Sequence, residues 1–287
     1  MIGAMQYTRL RFQRTRPEAM ANVHPLTSIA VNAARRAGDV ILSYYRRGET
    51  GQVSQKNEND FVTDADHQAE RVIIDTIRRS YPDHAFIAEE SGESGDPDTA
   101  EAVWIIDPID GTSNFIRGIP HFCVSIACRI KGVIEHAVIY DPIKDELFTA
   151  DRGVGTILDG RRVRVSTRPR LRDAVLATGF TYARYEDITT RLPLYNRLLC
   201  ASGGMRCLGS AALGLAYVAA GRHDAYWEYG LGPWDMAAGV LMVRAAGGIA
   251  SDAADNDANP LETGNILAAN AKIYPQLLDK IAKTPKG

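Results

Sequence analysis

Apolar residues between positions 26 and 44 recur every three or four residues, which is the spacing of one buried helix face. Gly48 follows this pattern and is typical of a helix C-cap. A second helix is predicted to begin after Thr63, because Thr63 can cap it and Asp66 stands three residues further on, as in a capping box. We expect the polar stretch 51–59 between the two helices to form a loop.

Short apolar runs after the second helix predict strands, and two of these runs end in acidic residues. His84–Ala88 leads into Glu89, and Val103–Ile106 leads into Asp107. Three further runs, separated by turn sequences, predict an antiparallel meander. These runs are Phe122–Ile130, Val133–Tyr140 and Glu146–Ala150.

From residue 151 onward, strand-like and helical segments alternate, which predicts a layered α/β arrangement. The predicted strands are Ala174–Thr178 and Asp224–Glu228, and the predicted helices are Ile188–Cys200, Ser210–Ala220 and Trp234–Ala246. We place a boundary in Asp151–Arg164, a segment rich in Gly, Asp and Arg. The chain is therefore divided into a flexible basic leader (1–22), an α+β half (23–150) and an α/β half (151–287).

Composition and charge exclude several classes of protein without naming a function. The chain has 287 residues, 45% hydrophobic and 24% charged, as in a globular protein with a sizeable core. A net charge of −2 lacks the basic surplus typical of nucleic-acid binding. Apolar runs fall short of the about 18 residues that a membrane helix needs. The four cysteines form no C-x-x-C pair, so we expect buried free thiols and a cytoplasmic protein.

The segment Asp107–Thr112 carries the strongest chemical signal. An apolar strand delivers Asp107 and Asp110 to one point, and Gly111 lets the backbone approach a ligand closely. Thr112 and the two residues after it can cap a helix whose free N–H groups would receive a phosphate. Carboxylates repel phosphate unless a divalent cation lies between them, so the segment predicts a metal site.

Three other acidic residues fit such a site, although each also has a purely structural interpretation. Glu89 follows a strand, but adjacent glutamates are common on surfaces. Asp66 could be only the acid of the capping box, and Asp235 only a first-turn acid that the helix dipole favours. Oxygen ligands without a set of His and Cys favour Mg²⁺ over zinc.

Four segments, taken together, resemble the signature motifs of the inositol monophosphatase family and occur in the family's order. They are Phe61–Asp66, Ala88–Ser91, Trp104–Phe115 and Trp234–Gly239. Three further runs are most similar to bacterial SuhB-type members of that family: Gly118–Phe122, Gly209–Leu213 and Gly230–Asp235. The resemblance spans roughly residues 25–281 and implies a layered αβαβα sandwich of the sugar-phosphatase type, with the site between the two halves.

The resemblance also implies a role for each site residue. One Mg²⁺ would be bound by Glu89, Asp107 and the carbonyl of Ile109, a second by Asp107, Asp110 and Asp235, and a third, weaker ion near Glu89. Glu89 and Thr112 would position or deprotonate the attacking water, and Asp66 would support Thr112. The substrate-binding set would be Asp110, Gly111, Thr112, Gly209, Ser210, Ala211 and Glu228. Glu228 could instead be an exposed strand end, but its seven-residue spacing to Asp235 fits the family.

The activity implied is Mg²⁺-dependent hydrolysis of inositol 1-phosphate, or a similar small polyol or sugar phosphate, by metal-activated water and with sensitivity to lithium. Sibling specificities stay open: fructose-1,6-bisphosphate, a 3′-phosphoadenosine nucleotide, histidinol phosphate or NADP. The pocket regions 180–187 and 226–232 should distinguish them.

Partners are implied as well: a homodimer, and a second, non-catalytic contact with the transcription machinery. Arg184, Arg191, Arg197 and Arg206 could supply a basic surface for that contact, although scattered arginines are usually solvated. Three residues depart from the family pattern, namely Gly214, where relatives often carry an acid, Cys207 in place of a frequent arginine, and Ala88 in place of a glycine. The first two bear on oligomer contacts or pocket shape.

Overall fold

The structure is a computed structural model that describes residues 24–48, 53–57, 60–180, 185–253 and 258–282. The predicted leader, residues 1–22, lies outside these ranges. In chain order the helices are α1 (Pro25–Arg47), α2 (Asp64–Arg78), α3 (Thr112–Ile116), α4 (Tyr185–Ala201), α5 (Ala211–Ala219), α6 (Pro233–Ala245), α7 (Pro260–Thr263) and α8 (Tyr274–Ala282).

The strands belong to one hairpin and two larger sheets. They are β1 (Val53–Asn57), β2 (Asp60–Thr63), β3 (Ala85–Ala88), β4 (Gly92–Ser94), β5 (Ala102–Asp110), β6 (Cys123–Ile130), β7 (Val133–Asp141), β8 (Glu146–Asp151), β9 (Gly155–Leu158), β10 (Arg161–Val163), β11 (Val175–Thr178), β12 (Gly204–Cys207), β13 (Ala225–Glu228), β14 (Gly248–Ser251) and β15 (Ile266–Asn270). The predicted meander is confirmed as β6, β7 and β8.

The ends of the first two helices follow the local sequence. Gly48 adopts a left-handed conformation (φ 66°), and its N–H donates to the carbonyls of Tyr44 and Tyr45, so the predicted C-cap is confirmed. The capping box of α2 is also confirmed, with Thr63 and Asp66 bonded reciprocally. The loop expected at 51–59 is wrong for residues 53–57, because β1 pairs with β2 in an antiparallel hairpin.

The two large sheets are joined by a helical layer, which gives the layered α/β fold that the sequence predicts. The eight-stranded sheet has the order β10-β9-β8-β7-β6-β5-β3-β4, and the five-stranded sheet has the order β12-β11-β13-β15-β14. Helices α1 and α2 cover the outer face of the first sheet, α5 and α6 lie between the sheets, and α4 and α8 pack outside the second. The order of layers is αβαβα.

The segment expected to be a boundary contains two strands. β9 and β10 continue the eight-stranded sheet to Val163, so the second sheet begins only with Val175 of β11. The division of the chain into two halves at residue 150 stays a prediction.

Two features of composition can be followed into the structure. Cys123 and Cys128 are buried free thiols, but Cys200 and Cys207 are exposed, so the expectation of burial is wrong for the latter two. Within the described ranges, no helix has both the length and the apolarity to cross a lipid bilayer.

Candidate active site

Two acidic strand ends meet at one edge of the eight-stranded sheet. β3 and β5 are parallel neighbours, with Ala88 opposite Ile106. The N–H of Glu89 donates to the carbonyl of Ile106 at 3.1 Å. Glu89, directly after β3, and Asp107, within β5, therefore lie at the same level of two adjacent strands.

An irregularity in β5 brings the two aspartates of the strongest motif together. In a regular strand, residues three apart point to opposite faces. The pairing with β6 shifts register between Asp107 and Asp110, and the N–H of Ile109 turns back to donate to Oδ1 of Asp107 at 2.9 Å. Pro108 has no N–H to contribute to a ladder, which suits this irregularity.

Helix α6 supplies the third carboxylate. Asp235 lies in its first turn, and its Oδ2 accepts a hydrogen bond from the N–H of Gly232 at 2.7 Å. Ser125 of β6 donates to the carbonyl of Trp234 at 3.2 Å, which ties the start of the helix to the sheet. One carboxylate oxygen from each of Asp107, Asp110 and Asp235 lies within 4.8 Å of the others.

The carboxylates of this cluster repel one another, and a positive charge between them would stabilise their ionised forms. Burial raises the pKa of Asp107 well above its usual value, and the charges of Glu89, Asp110 and Asp235 raise it further. Burial also raises the pKa of Asp235, reinforced by Asp110 and Glu89. A divalent cation would offset this repulsion, and a donor set made only of oxygens suits a hard cation. The residues present therefore fit a metal ion.

Asp66 caps α2 and also contacts Thr112. Its Oδ2 accepts hydrogen bonds from the N–H and hydroxyl of Thr63, at 2.9 and 2.5 Å, which completes the capping box. Its Oδ1 lies 3.1 Å from Oγ1 of Thr112, which can donate to it or to the carbonyl of Ile109 at 2.9 Å. The start of α2 is thus linked to the segment that follows Asp107 and Asp110.

The expected side-chain cap of α3 is wrong. Gly111 is the N-cap residue in a left-handed conformation (φ 101°), and no side chain caps this helix end. The hydroxyl of Thr112 is directed to Asp66 and Ile109 instead. Asn114 bonds across to the carbonyls of His121 and Leu208, at 2.8 and 2.7 Å. A Cβ on Gly111 would lie 3.0 Å from the carbonyl oxygen of Gly209, so the close approach requires glycine.

The start of α5 holds Asp110 rather than only lining a pocket. The hydroxyl of Ser210 donates to Oδ2 of Asp110, and the N–H groups of Ala211 and Ala212 donate to its two oxygens at 3.2 and 2.7 Å. These hydrogen bonds lower the pKa of Asp110, although burial, the larger effect, leaves it raised. The predicted residues Gly209, Ser210 and Ala211 are therefore brought to the site.

Glu228 is buried at the end of β13, so the alternative of an exposed strand end is excluded. Its side chain is 6% exposed, and the hydroxyl of Tyr226 donates to its Oε2. Burial raises the pKa of Glu228 to about 7, with the hydrogen bond from Tyr226 acting in the opposite direction and the charge of Asp110 in the same direction.

Sequence reasoning missed two residues that build the site. Glu70 accepts hydrogen bonds from the N–H groups of Glu90 and Ser91, both at 2.9 Å, and so fixes the turn after β3. Its signal was a charged residue on the buried face of α2, one turn after Asp66. Tyr226 was missed because an aromatic residue in a strand is ordinary core composition.

Other predicted positions are not brought to this centre. The pocket region 180–187 falls largely outside the described residues, as does Arg184. Arg191 lies over the ring of Tyr229, 4.1 Å from its centroid, and Arg197 donates to the carbonyl of Lys280. Arg206 is exposed on β12. The predicted basic surface stays a hypothesis.

Comparisons with known proteins agree with this geometry. Residues 22–285 match the family model described as "Inositol monophosphatase family". The "Nus factor SuhB" of Salmonella typhimurium is 52% identical over 256 residues, which covers 89% of this chain and 95% of that protein.

Solved structures with the same fold include two bacterial proteins. The extragenic suppressor protein suhB from Bartonella henselae has a TM-score of 0.86 and 42% identity, over 91% of this chain and 100% of that one. The inositol monophosphatase from Anabaena has a TM-score of 0.81 and 40% identity, over 91% of this chain and 96% of that one.

Proposed function

This chain belongs to the inositol monophosphatase family, and we propose that it is a Mg²⁺-dependent phosphatase acting on inositol 1-phosphate or a similar small polyol phosphate. The observation that carries the proposal is the convergence of Asp107, Asp110 and Asp235 within 4.8 Å, two of them buried and the third half-buried, with the pKa of each carboxyl group raised. The three side-chain atoms that converge there are all carboxylate oxygens, which are typical ligands of a hard divalent cation.

The proposed ligands are the residues that the family resemblance implies. Glu89, Asp107 and the carbonyl of Ile109 would hold one ion, and Asp107, Asp110 and Asp235 a second, with a third, weaker ion near Glu89. Bound Mg²⁺ would lower the pKa of water and offset the charge of the phosphate group.

The chain's own residues would position the reactants. The carboxylate of Asp66 accepts a hydrogen bond from the hydroxyl of Thr112. The oxygen of Thr112 can then accept a hydrogen bond from the attacking water. Glu89 would take up the proton. Gly111 and Thr112 would bind phosphate oxygens through the backbone, and Glu228 would accept hydrogen bonds from substrate hydroxyls.

The first experiment measures phosphate release from inositol 1-phosphate across a Mg²⁺ titration, with EDTA as the blank. Asp110→Asn should lower kcat by orders of magnitude while retaining a folded protein. Asp224→Asn is the matched control, since Asp224 is also buried and accepts a hydrogen bond from a backbone N–H. Asp224 lies directly before β13, at the end of that strand remote from Glu228. Near-normal turnover in Asp110→Asn would contradict the two-metal assignment.

Sibling specificities remain alternatives because they share the metal site. A turnover panel of inositol 1-phosphate, fructose-1,6-bisphosphate, a 3′-phosphoadenosine nucleotide, histidinol phosphate and NADP separates them. Preference for a substrate other than inositol 1-phosphate by tenfold or more in kcat/KM, about 1.4 kcal/mol, would replace the proposed one.

A second, non-catalytic role is favoured by the similarity to the Salmonella protein, which is named a Nus factor. The candidate surface is α4 with β12, where Leu192 and Leu199 are about half exposed and Arg206 is exposed. A pull-down with RNA polymerase components, using Asp110→Asn to separate binding from catalysis, tests contact with the transcription machinery.

Light scattering on the purified protein tests the predicted homodimer, and cell fractionation tests the predicted cytoplasmic location.

A further inference from the structure

Tyr226 and Glu228 form a buried pair at the edge of the site. They lie two residues apart on β13, so their side chains leave the same face of the strand. The hydroxyl of Tyr226 donates to Oε2 of Glu228, and the two residues are 2% and 6% exposed. A carboxylate has two oxygens, so Oε1 of Glu228 keeps its capacity to accept another hydrogen bond.

Gly214 of α5 provides the space for the tyrosine ring. A Cβ at this position would stand 2.6 Å from Cδ2 of Tyr226, closer than real Cβ atoms approach a neighbour. The backbone of Gly214 is ordinary helix, which alanine would favour over glycine. The glycine is therefore required by the ring and not by the helix, and this is one of the positions where the chain departs from the family pattern.

Gly179 lies against the carboxyl group of Glu228 on another side. β11 and β13 are parallel neighbours, with Thr178 opposite Trp227, so Gly179 follows β11 at the level of Glu228. A Cβ on Gly179 would stand 2.5 Å from Cδ of Glu228. The carboxyl group is confined between the backbone of Gly179 and the hydroxyl of Tyr226.

We propose that Tyr226 is a positioning residue for substrate selection: it fixes one oxygen of Glu228 so that the other faces a hydroxyl of the polyol, and Gly214 gives its ring the necessary room. The proposal rests on the proposed function and deepens it. A carboxylate already held in one orientation loses less conformational freedom when it accepts a substrate hydroxyl. An aryl phosphate offers no such hydroxyl, so the arrangement favours polyol phosphates over aryl phosphates.

The test measures KM and kcat for inositol 1-phosphate and for p-nitrophenyl phosphate in two variants. Tyr226→Phe removes the hydroxyl and keeps the ring, and Gly214→Ala displaces the ring and keeps the hydroxyl. Each should raise KM for inositol 1-phosphate about ten- to a hundredfold, the range for loss of a hydrogen bond to a charged group. Turnover of p-nitrophenyl phosphate should stay within about twofold. The double variant should lose no more selectivity than the worse single one, because both changes act on one contact.

The chain offers a matched control with the same geometry elsewhere. A Cβ on Gly38 of α1 would stand 2.6 Å from Cε1 of Tyr140 on β7, and the hydroxyl of Tyr140 donates to Asp145 at 2.9 Å. Gly38→Ala and Tyr140→Phe should lower Tm as the test variants do, but leave the ratio of the two substrates unchanged.

The outcomes distinguish this proposal from the proposed function. If the wild type prefers inositol 1-phosphate and neither test variant changes the ratio, or if the wild type is an active phosphatase without that preference, the positioning role is wrong. If the wild type hydrolyses no phosphomonoester, the proposed function fails by itself. In that case a ¹³C NMR titration of Glu228 in chelated protein tests the hydrogen bond from Tyr226 to Glu228. The pKa should rise in Tyr226→Phe but not in Tyr140→Phe, and an unmoved pKa overturns the proposal.

Discussion

Thr112 and Asp66 are joined by a hydrogen bond of 3.1 Å although 46 residues separate them in the chain. Asp66 is at the same time the capping acid of α2, and Thr112 is the first residue of α3. The contact therefore makes the start of one helix a support for the start of another, directly beside the acidic cluster. A capping acid fixed by its own helix is a rigid partner for a hydroxyl that would orient water.

This relationship predicts how Thr112 and Asp66 respond to substitution. Thr112→Ala and Asp66→Asn should each lower kcat with little change in KM, because both disturb the orientation of the water and not substrate binding. Thr112→Ser keeps the hydroxyl and should retain most activity. Steady-state kinetics of the three variants and of Asp66→Asn/Thr112→Ala checks this. Independent, fully additive losses would mean that the two residues do not act through one contact.

Mg²⁺ should stabilise the folded protein, and more at pH 8 than at pH 6. Burial raises the pKa of Asp107 and of Asp235, so at pH 6 protons compete with the ion for these carboxylates. The measurement is the rise in Tm on adding Mg²⁺ to chelated protein at each pH. Asp110→Asn should show a smaller rise, and an equal rise at both pH values would contradict the assignment of these carboxylates as ligands.

Glu228 should make the chelated protein less stable as pH increases. Its pKa is raised from 4.5 to about 7, so the folded state binds this proton more tightly than the unfolded state does. The resulting stability is complete below pH 4.5 and is lost as pH rises through 7, an effect of about 3 kcal/mol.

The test compares urea unfolding of Glu228→Gln with that of the wild type at pH 5 and pH 8, in EDTA. The difference between the two proteins should shift in favour of the variant at pH 8. His121, whose pKa burial lowers to about 4, changes stability in the opposite direction, but it is common to both proteins and cancels. A pH-independent difference would show that Glu228 does not titrate in this range.

Li⁺ should inhibit the enzyme at millimolar concentrations, as the family resemblance implies. Li⁺ would occupy the site of Asp107, Asp110 and Asp235 and delay release of phosphate. Asp235→Asn should change the inhibition constant more than it changes KM for the substrate. Titration of Li⁺ against Mg²⁺-supported turnover is the measurement, and full activity in high Li⁺ would separate this chain from lithium-sensitive relatives.

Glu228→Gln should impair polyol substrates selectively. The neutral amide accepts weaker hydrogen bonds than the carboxylate, so kcat/KM for inositol 1-phosphate should fall about ten- to a hundredfold, equivalent to about 1.5–3 kcal/mol. Turnover of p-nitrophenyl phosphate should change far less. Equal losses on both substrates would assign Glu228 to the metal site or to the fold.

Local features of this chain could be predicted because their physical causes are local. The cap at Gly48 and the capping box at Thr63 depend on residues within one helical turn, and the meander follows from alternation and turn residues. The hairpin at 53–57 was missed because its sequence is polar and its pairing depends on β2. The side-chain cap expected at Thr112 was wrong because the hydroxyl of Thr112 is directed to Asp66, in the first turn of α2.

The residue pattern alone indicated which carboxylates follow which strands, the antiparallel meander, the layered α/β class and the resemblance to a family. How these groups are held depends on contacts between segments that are far apart in the chain. Asp110 is bonded to Ser210, 100 residues later, and Glu228 is confined by Gly179 and Tyr226. Such contacts depend on the register of strands and the packing of helices between two sheets. Local propensity cannot encode them, because the partners become neighbours only when the whole core closes.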